Sequence, residues 1–197
     1  MGRGSLKAVF LDRDGVLNEA VVREGKPYPP ASVDELKIAG DAPECLGQLR
    51  AAGFLLVVVT NQPDLARGRQ TRQAVDAIHQ ALRAAMPIDA IYICDHDGAD
   101  QCECRKPKPG MLLQAAKDWK IDLAESFLIG DRWRDVDAGA EAGVRTILLD
   151  SGYRERGPDH APERTVHGLR EAVDWILNQA PRNLRDKSSM PASDPIS

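Results

Sequence analysis

The 197-residue chain predicts an α/β fold of three layers, a parallel sheet with helices on both faces, from the alternation of two kinds of segment. Short apolar runs rich in β-branched residues, bounded by charge or glycine, have the look of strands buried on both sides. Segments with helical spacing separate them, and strands joined by helical crossovers run parallel.

In chain order, Ala8 to Leu11 is the first strand candidate. Asn18 to Lys37, with Gly25, Pro27, Pro29 and Pro30, is too proline-rich for a regular element and reads as an excursion over one rim of the sheet. Asp41 to Ala52 is a helix that opens on an N-cap residue and closes before Gly53, and Phe54 to Val59 is the strand after it. Thr71 to Met86 opens on Thr and leads into the strand Ala90 to Ile93. Pro109 to Lys120 opens on Pro, as helices commonly do, and precedes Phe127 to Ile129. Trp133 to Ala142 closes before Gly143, and Thr146 to Leu149 is the last strand expected. Residues 1–180 read as one domain. From 181 to 197 the chain is polar and aperiodic, which predicts a disordered tail.

Composition excludes several classes. A chain of this length buries a core without disulfide staples. The formal charge of −4, from 26 basic and 30 acidic residues, comes with no basic tract, so nucleic acid is not the expected partner. No apolar run approaches the roughly 20 residues that span a bilayer, and Met1 to Lys7 shows no signal-peptide core, so a cytoplasmic protein, a monomer, is expected. Cys94, Cys102 and Cys104 cluster with His96, which speaks for a metal and against disulfides.

In open parallel sheets ligands bind beyond the carboxyl ends of the strands. Asp12, Thr60, Cys94 and Asp131 all stand at or just after such an end. Asp12 and Asp14 project the same way from a strand-end loop, so two carboxyl groups can address one phosphorus, one attacking and one moving a proton. Alone, Asp-x-Asp is more readily a hydrated loop or a helix cap, and the strand before it and the partners that follow reverse that reading. Thr60-Asn61-Gln62 offers a hydroxyl and backbone N–H groups to phosphate oxygens, and Lys106, in a loop stiffened by Pro107 and Pro109, offers a cation. Asp131 and Asp135 supply the hard oxygen ligands that suit magnesium.

In order, FLDRDGVLN, VVVTNQ, CRKPKPG and LIGDRWRDVDAGAEAGV resemble the four motifs of the haloacid dehalogenase (HAD) superfamily, over about Lys7 to Asp150. The resemblance implies a HAD-like phosphatase without a large cap domain. It makes Asp12 the nucleophile that forms an aspartyl-phosphate, and Asp14 the acid for the leaving group and then the base for water, a role that asks for a raised Asp14 pKa. Thr60 and Lys106 would steady the phosphoryl oxygens. Magnesium would take Asp12, the Asp14 carbonyl and Asp131, with Asp135 behind them.

Cys94-x-His96 and Cys102-x-Cys104 make a full tetrahedral set with no position left for substrate, the mark of a structural zinc. A zinc loop just ahead of Arg105-Lys106-Pro107 is similar to that of the D-glycero-D-manno-heptose-1,7-bisphosphate phosphatases and the related histidinol phosphatases. That likeness implies a small phosphorylated substrate, with Asn61, Gln62, Arg105 and Arg132 around it and Arg105 on its distal phosphate. Pro63-Asp64 stands where the heptose branch usually has Ser-Gly, and Arg132 where lysine is frequent. Asp64 would repel an anionic substrate unless turned away, and would suit the amine of histidinol phosphate. A non-catalytic binding protein on the same fold is the alternative from another class, although none of the four key residues is lost. Elsewhere, Cys45 reads as core, His79 as solvated, Trp119 and Trp175 as packed, Trp133 as either core or substrate contact, and His160 and His167 as without a role.

Overall fold

The computed structural model describes residues 5–23 and 26–179, so the tail expected over 181–197 lies outside the described residues. Strand β1 (Ala8–Leu11) is followed by an antiparallel hairpin, β2 (Val21–Arg23) with β3 (Lys26–Tyr28), and by α1 (Ala42–Ala51). Then come β4 (Leu55–Asn61), α2 (Arg72–Ala85), β5 (Ala90–Cys94), α3 (Gly110–Trp119), β6 (Phe127–Gly130), α4 (Trp133–Ala142), β7 (Arg145–Leu149), β8 (Arg164–Val166) and α5 (Leu169–Gln179). The main sheet has the order β5-β4-β1-β6-β7-β8, with every pairing parallel.

Period-two alternation builds the layers. In β1, Val9 and Leu11 face a core shared with α1, α2 and α5, while Ala8 and Phe10 face α3 and α4. All of β1 is buried, which is why its sequence shows no polar alternation; burying Phe10 or Leu11 stabilises by roughly 1.5–3 kcal/mol each. Helix starts follow local chemistry. Thr71 caps α2 by accepting the Ala74 N–H at 3.2 Å, and the Asp135 carboxylate turns back to the Arg132 N–H at 3.2 Å to cap α4. Gly143 ends α4 at φ +76°, in the left-handed region that glycine enters most readily.

Four expectations need correction. Asn18 to Lys37 does contain regular structure, the β2–β3 hairpin, because a two-stranded ribbon is all edge and an edge strand tolerates Pro27. The sheet gains β8, an edge strand in which only Val166 is buried and whose sequence therefore carries almost no apolar signal. β4 runs on through Thr60 to Asn61, so both belong to the strand. Trp119, at the end of α3, is 37% exposed, whereas Trp175 packs edge-on against Phe127 with the Arg145 guanidinium over both rings. Among the described residues no helix is long and apolar enough to cross a membrane.

Candidate active site

The carboxyl ends of β1, β4 and β6 converge on one charged cluster. Asp12 follows β1 directly, and its N–H donates to the Ile129 carbonyl at 2.9 Å, which fixes it against β6. Lys106 is 2% exposed and its ammonium uses all three donors, to Asp12 at 2.9 Å, Asp135 at 2.5 Å and the Val59 carbonyl at 2.8 Å. Burial alone would lower the Lys106 pKa, but Asp12 and Asp135 outweigh it and leave it raised. Burial pushes the Asp12 carboxyl up to about 6, against the pull of Lys106 and with the repulsion of Asp135 and Asp14 added.

Asp131 is the unsatisfied member. Both its oxygens are buried and neither accepts a hydrogen bond of normal geometry, although the Tyr153 phenol lies beside them. Burial, then repulsion from Asp12 and Asp135, raises its pKa well above the usual carboxylate range. One carboxylate oxygen from each of Asp12, Asp131 and Asp135 lies within 4.8 Å of the others. Three hard oxygen donors, two orphaned oxygens and a single ammonium fit a small divalent cation such as magnesium. Gly15 belongs to the same design. At φ +91° it needs glycine, and a Cβ there would stand 1.8 Å from an Asp131 oxygen.

Asp14 departs from the expectation of a raised pKa. Burial pushes it up, but Arg13 pairs with it at 2.7 Å and 3.1 Å, Asn18 donates at 3.0 Å and Gln62 at 2.9 Å, so its pKa is lowered. Here it is the ionised, base form. Arg13, wholly buried, went unnoticed in the sequence because a lone arginine between two aspartates looks like a solvated charge. Its Nη1 lies 3.2 Å from His79 Nε2. Guanidinium nitrogens only donate, so His79 accepts there and carries its proton on Nδ1. Burial and then Arg13 push the His79 pKa down to about 4; it is a neutral, half-buried support for Arg13, not a solvated residue.

Thr60, Asn61 and Gln62 divide their tasks. Gln62, fully buried, donates to the Thr60 hydroxyl oxygen at 3.0 Å as well as to Asp14, which leaves the Thr60 hydrogen free to donate into the cavity. Asn61 exchanges two hydrogen bonds with the Lys106 main chain, at 3.0 Å and 3.1 Å, and so aims that lysine. The Asn61 and Gln62 amides are thus engaged inside the protein, and the expected direct substrate contact from Gln62 has no open face.

The second cluster lies at the end of β5. Cys94 and Cys102 sulfurs are 3.7 Å apart, Cys102 and Cys104 3.5 Å, and His96 Nδ1 stands 3.8 Å from Cys94 and 3.4 Å from Cys104. These are too long for disulfides, whose S–S bond is about 2.05 Å. Zinc–sulfur bonds of about 2.3 Å at the tetrahedral angle put two sulfurs about 3.8 Å apart, so the spacing fits zinc.

The HAD-hydrolase-like family matches residues 103–172. The D-glycero-beta-D-manno-heptose-1,7-bisphosphate 7-phosphatase of Pasteurella multocida (strain Pm70) is 40% identical over 158 residues, 74% of this chain and 83% of that protein. The chain belongs to the D-glycero-D-manno-heptose-1,7-bisphosphate phosphatase family of HAD hydrolases. The protein of the same name from Yersinia pestis is 34% identical over 187 residues, covering 88% of this chain and 91% of the relative. The crystal structure of D,D-heptose 1,7-bisphosphate phosphatase from B. bronchiseptica, complexed with magnesium and phosphate, matches with a TM-score of 0.73 at 31% identity, covering 89% of this chain and 100% of the other. With its family the chain is a hydrolase of phosphate esters.

In this member of the family, a cavity of about 470 Å³ holds Asp12 and Lys106 at its base and is reached by Tyr28 and Pro29 from the hairpin. Asp64 lines it but is not a bare charge: Arg67 stands 3.4 Å and Arg69 3.9 Å away. Arg67 also grips Asp97 of the zinc loop at 2.7 Å and 2.9 Å, which ties that loop to the turn after β4. Arg105 donates to the His96 carbonyl at 3.2 Å, and Arg132 makes a two-point pair with Glu155. Trp133 does not line this cavity. It faces a smaller recess of about 170 Å³ beyond Asp131, with the guanidinium carbons of Arg156 at 3.5 Å and Arg134 at 4.6 Å from its ring centre. The sequence also gave no sign of Asp137, which is 4% exposed and accepts the Asp159 N–H at 2.8 Å and the His160 N–H at 3.0 Å. His160, given no role from the sequence, thereby helps to pin the loop that carries Tyr153 and Glu155.

Proposed function

We propose that the protein removes the C7 phosphate of D-glycero-D-manno-heptose 1,7-bisphosphate and leaves the 1-phosphate. The observation that carries this reading is one cavity with a carboxylate–lysine cluster at its base and a rim of arginines, in a chain 40% identical to a phosphatase of that name. Such a cavity provides for two phosphates, one reacting and one held.

Asp12, ionised, attacks phosphorus; its Oδ–P bond forms as the P–O bond to C7 breaks, and Asp14 gives its proton to the departing oxygen. The ionised Asp14 acquires that proton as the phosphate dianion approaches, because a nearby negative charge raises a carboxyl pKa. Water then attacks the aspartyl-phosphate, Asp14 takes the water's proton, and Asp12 is released with inorganic phosphate. The Thr60 hydroxyl holds a phosphoryl oxygen, the Lys106 ammonium balances phosphoryl charge and turns one donor from Asp12 to the phosphoryl group as Asp12 attacks, and Asn61 and Gln62 position them. Asp12, the Asp14 main-chain carbonyl and Asp131 would hold magnesium, with Asp135 behind; when bound, the ion neutralises charge that develops on the phosphoryl group. Zinc on Cys94, His96, Cys102 and Cys104 would fix the loop that leads into Arg105 and Lys106. Arg105 and Arg132 face the second phosphate.

Histidinol phosphate is the second reading, and Asp64 was the feature in its favour. Since Arg67 and Arg69 already accompany Asp64, little negative charge remains for an amine. Phosphate release from both anomers of the heptose bisphosphate and from histidinol phosphate, with magnesium present, separates the two. Turnover of the bisphosphates is expected, with kcat/KM at least ~100-fold above that of histidinol phosphate. Activity confined to histidinol phosphate would rule the proposal out.

A further inference from the structure

The arginines at the rim of the catalytic cavity are unequal. Arg67 is held by Asp97, Arg132 by Glu155, and Arg105 donates to the His96 carbonyl. Arg134 lines the same cavity, half-buried, and among the described residues its one contact is the face of Trp133, at 4.6 Å. Glu155 and Asp135 attract it from a distance, but among the described residues no carboxylate bonds it. Glu155 is taken by Arg132, and Asp135 by Lys106 and the Arg132 N–H.

Its place in the chain makes the charge costlier still. Arg134 lies in the first turn of α4, where the helix dipole favours anions and disfavours a cation. Arg132 and Arg105 add like-charge repulsion. A guanidinium does not shed its proton, so the penalty cannot be relieved by neutralisation. A partly dehydrated cation with no carboxylate bonded to it, facing a cavity and beside other arginines, is relieved by a dianion that enters the cavity.

We propose that Arg134 is a specificity-determining residue that binds the non-reacting phosphate of the bisphosphate substrate, completing a site with Arg105 and Arg132. The inference rests on the sugar-bisphosphate reading above. Trp133 serves the site indirectly, since its ring lies 4.6 Å from the guanidinium carbon of Arg134 and so limits where the guanidinium can point. The planar fork of Arg134 can meet two phosphate oxygens at once, which a neutral hydroxyl in the same position of a monophosphate substrate does not demand.

The test compares heptose 1,7-bisphosphate with heptose 7-phosphate, which has the same reacting ester and no second phosphate. Wild type, Arg134→Ala, Arg134→Gln and Arg134→Lys are measured on both, with thermal midpoints alongside. Arg134→Ala is expected to lose about 10- to 100-fold in kcat/KM on the bisphosphate, chiefly as a raised KM, and under about 3-fold on the 7-phosphate. Arg134→Lys should recover part of that loss, and Arg134→Gln, which is polar but shorter and uncharged, should not. Should Arg134→Ala fail to fold, the Gln and Lys pair decides in its place. Equal losses on both substrates, or an undiminished bisphosphate preference in the Ala or Gln variant, would overturn the assignment while leaving the substrate proposal standing. A wild type with no preference for the bisphosphate would overturn both.

Discussion

Asp12→Asn is expected to lower phosphate release by at least ~10⁴-fold while the protein keeps its fold. An amide is a poor nucleophile towards phosphorus, and among the described residues the neighbouring carboxylates are not placed to take over: Asp131 does not line the cavity. Asp14 is locked by Arg13, Asn18 and Gln62, and Asp135 by Lys106. The fold should survive because the exchange preserves shape and removes one of several crowded negative charges. Burial and repulsion already push the Asp12 carboxyl up to about 6, so ionised Asp12 is not what stabilises the cluster. Lys106 keeps its contacts with Asp135 and the Val59 carbonyl. Circular dichroism should therefore show a thermal midpoint within about 5 °C of wild type. A variant that turned over at near-normal rate would remove Asp12 from the role of nucleophile.

Removal of zinc is the second large effect. Protein purified without added metal should contain about one zinc per chain, as a closed thiolate–imidazole site retains its ion. Stripping with a strong chelator under reducing conditions, followed by excess magnesium alone, should leave activity lowered by at least ~10-fold; returning zinc should restore it. Cys104 directly precedes Arg105 and Lys106, and Arg105 reaches back to the His96 carbonyl, so releasing the loop moves the cation that Asp12 and Asp135 depend on. Protein that holds no zinc as isolated, or that is fully active after stripping, would make these four residues an ordinary set of reduced cysteines and a histidine.

What the sequence made legible, and what it hid, divides along physical lines. The buried strands declared themselves through unbroken apolar runs, and β1 was located to the residue because both its faces are covered. The residues Asp12, Lys106, Asp131 and Asp135 were readable because each stands shortly after a strand or within a proline-stiffened loop, and the structure brings them together. Elements whose stability comes from elsewhere stayed hidden. The β2–β3 hairpin and β8 are short and at edges, so neither periodicity nor propensity marks them. Long-range polar partners were equally silent. Arg13 bonded to His79, Asp137 bonded to the main chain at Asp159 and His160, and Arg67 bridging Asp64 to Asp97 depend on distant segments meeting, which no local pattern encodes. The pKa of Asp14 was misjudged for the same reason. Against burial, its direction is set first by Arg13 and then by Asn18 and Gln62, and the last two contacts had no signature in sequence.

The most direct test of the central claim is a ³¹P NMR time course of heptose 1,7-bisphosphate with the wild-type protein and magnesium. The phosphate signal on C7 should disappear in step with the growth of inorganic phosphate, while the signal on C1 stays until the end. Loss of the C1 signal first, or no change in either signal, would contradict the account.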